Sequence, residues 1–141
     1  MVDLKEFEQK AADLRVLGMK ISIGQDTVYE KYWDEDCRRN IYSASKSFTS
    51  CAVGFAVQEG LIDLDERLMD AFKEDIPNNP DENLKKATVK DLLTMTLGQE
   101  KGFLMGKQRP RMEEQNWVKA SLAIPFVYEP GTHFVYNTVG P

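Results

Sequence analysis

The sequence predicts an α+β fold, on three observations. Leu17, Met19, Ile21 and Ile23 alternate with Lys20 and Ser22, the period-two pattern of a strand with one apolar face. Thr27 to Trp33 (TVYEKYW) follows as a β-branched and aromatic run, so the two segments should pair as a hairpin through a Gly24-Gln25-Asp26 turn. The rest of the chain is periodic at three and four residues or broken by Gly, Pro and Asn, which reads as helices and loops. Both strands fall at the front, and a lone hairpin is marginal in water with open edges.

Each element has its own warrant. Leu4, Phe7, Ala11 and Leu14 make an amphipathic helix from Asp3 to Val16, with Gly18 as its stop. Asp34 to Asn40 is a charged loop. Ile41 to Glu59 is expected as a long helix closed by Gly60, mostly buried through Ala44, Phe48, Ala52, Phe55 and Ala56, with Val53 and Val57 beside them. A short helix should span Glu66 to Phe72. Thr88 is expected as the N-cap of a helix closed by Gly98, and a last helix should run from Glu113 to Ile124, before Pro125. We expect residues 1–40 to form the helix and hairpin, and 41–141 the helical region.

Composition narrows the function classes. The 141 residues are 42% hydrophobic with net charge −5, enough apolar content for a core and no basic stripe for nucleic acid. Cys37 and Cys51 form neither a metal-ligand spacing nor a disulfide framework, so no metal or cofactor is expected. No apolar run approaches a membrane span of ~18 residues, and no signal-peptide core opens the chain. The expectation is a cytoplasmic protein, or one whose export signal was removed.

One pair of residues carries chemistry. Ser43 and Lys46 stand three apart at the head of the long helix, on one face with Cβ atoms about 5–6 Å apart. A hydroxyl beside an amine is a nucleophile with a base. A Ser N-cap with a solvated Lys is the competing reading. With 6 Ser and 12 Lys in the chain, chance supplies roughly half of one S-x-x-K match. Against the cap, the capping box wants Glu or Gln where Lys46 stands, and a cation in the first turn opposes the helix dipole.

Four blocks in order extend the pair: IYSASKSFTS around Ser43, EGLIDLDERL from Glu59, TVKDLLTMTLG from Thr88 and EPGTHFVYNT from Glu129. Together they resemble the serine β-lactamase and penicillin-binding protein superfamily, closest to its branch of class C β-lactamases, esterases and D-alanyl-D-alanine peptidases. The resemblance covers about residues 16 to 141.

It implies a β-lactamase-like fold in which this chain supplies the front hairpin of an antiparallel sheet plus the helical region, with the sheet incomplete. It implies acyl transfer on a small ester or amide, with Ser43 acylated, Lys46 assisting proton transfer and Tyr136 as base or base partner. Asn137 and Thr138 fall at the substrate-binding asparagine, where Thr138 occupies the asparagine's own place. The Ser43 N–H is a candidate oxyanion donor. His133, the only histidine, falls at a variable position and is expected on the surface. The late K-T-G or H-x-G motif does not occur. The resemblance thus implies a truncated form, completed by a second copy or by a separate C-terminal polypeptide. A catalytically inactive fragment that binds itself or a partner is the alternative.

Overall fold

A computed structural model describes residues 3–35, 37–104 and 106–139. Position 36 of the charged loop, and positions 140 and 141 after the Tyr136 run, lie outside the described residues. The fold is α+β, and the chain divides into two compact units, Met1–Asn40 and Ile41–Pro141.

In the first unit, helix α1 (Lys5–Ala11) precedes the antiparallel pair β1 (Gly18–Ile23) and β2 (Asp26–Tyr32). The pair is the whole sheet among the described residues. Gly24, at φ +61°, makes the turn. A bulge follows, because Ile21 faces Tyr29 while Ser22 faces Thr27, leaving Val28 unopposed. Met19 and Ile21 are half-buried as the alternation requires, but Leu17 and Ile23 are exposed.

Helix α1 is shorter than its periodicity suggested, and Gly18 is not its stop. Arg15 takes the left-handed conformation at φ +54°, and the Val16 N–H returns to the Ala11 carbonyl at 2.9 Å. Ala11 is fully buried, whereas Leu14 lies beyond the turn and is exposed. Glu8 reaches back to β2, accepting from the Tyr29 hydroxyl at 2.8 Å and from Lys31 Nζ at 2.5 Å.

The second unit opens with a 3-10 turn, Tyr42–Ala44, that runs into α2 (Ser45–Gln58). Gly60 (φ +72°) closes the helix: its N–H donates to the Val57 carbonyl at 3.1 Å, and the Leu61 N–H donates to Ala56 at 2.9 Å. The expected burial of this helix does not occur. No residue of α2 is buried, and Phe48 and Phe55 are 70% and 65% exposed. Cys51 is exposed as well.

The core lies elsewhere in this unit. Leu68 of α3 (Leu68–Ala71), Leu84, Ala87, Leu97, Phe126 and Leu122 of α5 (Trp117–Leu122) form one buried cluster, with Leu92 of α4 (Val89–Leu93) packed against it. Thr88 caps α4 in a full capping box: its Oγ1 accepts from the Asp91 N–H, and its own N–H donates to Asp91 Oδ2. Met95, at φ +58°, ends that helix three residues before Gly98. Asn116 caps α5 by accepting from the Lys119 N–H at 3.1 Å, which starts the helix later than expected.

Gly98 serves a crossing instead. Its carbonyl accepts from the Tyr128 N–H at 2.9 Å, and a Cβ at this position would collide with the Tyr128 carbonyl. The irregular segment 126–138 crosses residues 95–103 here. Gln99 bridges to Phe126, the Val135 N–H donates to the Met95 carbonyl at 3.0 Å, and the Thr138 N–H donates to Phe103 at 3.4 Å.

Candidate active site

Ser43 sits in the middle of the 3-10 turn and is exposed. The residue before it, Tyr42, has φ +46°, a conformation costly for a bulky side chain. Such strain clusters at functional sites. The Ser43 hydroxyl caps neither the 3-10 turn nor α2, since neither end has a side-chain cap. The structure therefore does not use Ser43 as an N-cap.

Lys46 is half-buried in the first turn of α2. Its Nζ donates to the Thr138 carbonyl at 3.5 Å, a long bond that spans 92 positions of sequence. This contact draws the S-x-x-K turn and the Tyr136 segment together. The direct Ser43–Lys46 hydrogen bond expected from the helix spacing is not among the hydrogen bonds of the described residues. Tyr136, one step before the buried Asn137, is 41% exposed.

Asn137 has an internal position. It is 3% exposed, and its Nδ2 donates to Gln99 Oε1 at 2.8 Å. Its Oδ1 accepts from the N–H groups of Phe103 (3.0 Å) and Val139 (3.2 Å). Contact between the Asn137 side chain and another molecule would require breaking these three bonds; Thr138 beside it is half-buried.

Gln99 is the residue that sequence reasoning missed. It is 1% exposed, and its Nε2 donates to the Ser121 carbonyl of α5 at 2.8 Å. Nothing in TLGQEKG marks one polar residue of a loop as buried. His133 is exposed as expected, stacked on Tyr128 at 4.1 Å with Nδ1 2.8 Å from Thr132 Oγ1. Among the described residues no cluster of His, Cys, Asp or Glu could hold a metal ion, and no helix is long and apolar enough to cross a membrane.

The fold defines the class: an α+β protein with a two-stranded antiparallel sheet, in which Lys46 of the Ser43 turn meets the Thr138 carbonyl. The Beta-lactamase family model matches residues 5–140, nearly the whole chain. This chain belongs to the Beta-lactamase family, whose members point to hydrolase chemistry. A search of curated proteins returned no match.

Proposed function

We propose that the chain carries the acylation half-site of a serine hydrolase acting on a small ester or amide. Ser43 Oγ attacks the acyl carbon, and its proton passes to Lys46 or to the Tyr136 oxygen. The carbonyl electrons move to oxygen, which the Ser43 N–H and the helix N-terminus stabilise. As the C–O or C–N bond breaks, the proton goes to the leaving alkoxide or amine. Water then attacks the acyl-enzyme by the same relay, releasing the acid and restoring Ser43. Thr138 lines the substrate side.

The Lys46–Thr138 hydrogen bond is the observation that supports this reading most, because it joins Lys46 to the backbone two residues after Tyr136 from the opposite end of the unit. Intact-mass analysis after a fluorophosphonate or a penicillin tests it. A single adduct that maps to Ser43 and vanishes in Ser43→Ala is the expected result. An unmodified chain after hours at millimolar reagent rejects it.

The exposure of α2 favours a second reading, in which the chain is a binding module that a second copy or a separate polypeptide completes. Contiguous exposed apolar surface marks an interaction site. Phe48 and Phe55 project from a helix with no buried residue, and the core retains an apolar cavity of about 200 Å³ bordered by the exposed Trp117 and Val118. Under this reading alone, the chain self-associates and no adduct forms.

A further inference from the structure

The segment that reaches Lys46 is held by a buried polar chain that takes no part in the proposed chemistry. It starts at the Ser121 carbonyl in α5, passes through the Gln99 amide to Asn137, and ends on the N–H groups of Phe103 and Val139. Both side chains are almost fully buried, at 1% and 3% exposure. No buried side-chain nitrogen or oxygen among the described residues lacks a partner. A fully satisfied buried network fixes a single local geometry, because each alternative strands a donor or acceptor.

Thr138 lies between Asn137, whose side chain this network holds, and Val139, whose N–H it fixes. Its N–H donates to the Phe103 carbonyl, and its own carbonyl accepts from Lys46. Asn137 is thus clamped on the inner side, while Tyr136 before it is exposed and Thr138 after it is half-buried with its carbonyl on Lys46.

We infer that Gln99 is a positioning residue: through Asn137 it holds the Tyr136–Thr138 backbone so that the Thr138 carbonyl meets the Lys46 amine. The assignment rests on the serine-hydrolase reading for its consequence, but its geometry can be read without turnover. Gln99 supplies both an acceptor for Asn137 Nδ2 and a donor for Ser121, which no apolar residue of that size does. Losing it frees the Asn137 amide and lets the segment swing, and proton transfer is sensitive to such displacement.

The test uses Gln99→Met, which keeps volume and loses both hydrogen bonds, and the exchange Gln99→Asn with Asn137→Gln, which can restore the link. Two readouts are followed: the rate of Ser43 labelling by a fluorophosphonate against pH, and the Lys46 Cε resonance with amide exchange at Thr138 and Val139. Gln99→Met is expected to slow labelling about tenfold, alter its pH profile, shift the Lys46 resonance and speed exchange at both amides. The exchanged pair recovers most of each. A variant that melts earlier but keeps the wild-type pH profile and Lys46 resonance overturns the inference, because Gln99 would then be structural only. If Gln99→Met does not fold, Asn137→Ser is read by the same measurements and the same criteria. If the wild-type chain takes no label, the hydrolase reading fails by itself. The clamp then stands or falls on the Lys46 resonance and the two exchange rates.

Discussion

Two regions of the second unit treat burial in opposite ways. Where segment 126–138 crosses 95–103, irregular backbone is packed shut: Gln99, Phe126 and Asn137 are each at most 3% exposed, and their polar atoms are paired. Helix α2 is the longest helix among the described residues, yet none of its residues is fully buried. Regularity is therefore a poor guide to what this chain satisfies by itself. A helix pairs its own backbone and survives with an uncovered apolar face for as long as that face finds a partner. A loop crossing has no such reserve and must bury and pair everything locally.

The sharpest way to break the crossing is Gly98→Ala. Gly98 sits at φ +94°, and the added methyl would meet the Tyr128 carbonyl. Backbone strain and overpacking act together, about 1–3 kcal/mol from each. The expected outcome is a loss of several kcal/mol in urea unfolding, or failure to fold. A variant with wild-type stability would show that the crossing is loose.

A smaller effect separates the two regions directly. Phe126→Ala removes a core side chain whose backbone is fixed by Asp81 Oδ2 and Asn83 Nδ2 (3.1 and 2.8 Å), and should cost ~3–5 kcal/mol. Phe48→Ser with Phe55→Ser touches exposed positions and should change monomer stability by about 0.5 kcal/mol per site or less. If α2 is covered by a second copy, the same pair lowers the mass seen by light scattering after size exclusion. Equal losses of stability from both experiments would mean that α2 is packed in solution.

The contrast also explains what could be read from the sequence. The hairpin was legible because alternation from Met19 to Ile21 and the β-branched run need no tertiary information. The Thr88 cap was legible because a capping box is local. Helix ends set by Arg15 and Met95 were not, since a left-handed conformation at a non-glycine residue follows from how the next segment packs. Burial of α2 was expected because Phe48, Ala52 and Phe55 share a face, and a periodic face states only what a helix can bury. The Ser43–Lys46 pair was legible by spacing and family pattern. The Gln99–Asn137 link joins residues 38 apart through side chains, and no periodicity encodes it.

The first unit offers the gentlest test of local self-sufficiency, through pH. Glu8 on α1 is held below the usual carboxylate range, chiefly by its hydrogen bond to Lys31 and then by that to Tyr29. The Tyr29 phenol is pushed up to about 12 by desolvation and by Glu8. A lowered acid binds fewer protons folded than unfolded, so its stabilising effect is present above the unfolded pKa near 4.5 and fades as pH falls through the folded value. A raised phenol works in reverse: its effect is present below pH 10 and is lost as pH rises through about 12. The α1–hairpin contact should therefore hold across neutral pH and loosen at both extremes. Trp33 reports it, because its ring meets Phe7 of α1 edge-on at 6.0 Å and lies under Lys31 Nζ at 5.4 Å. Its indole N–H resonance should be flat between pH 6 and 9 and move below about pH 4.5. Glu8→Gln should remove most of the acid-side movement, as screening limits so exposed a pair to a small effect. A Trp33 resonance indifferent to acid in both proteins would show that α1 is held by Phe7 and Ala11 alone.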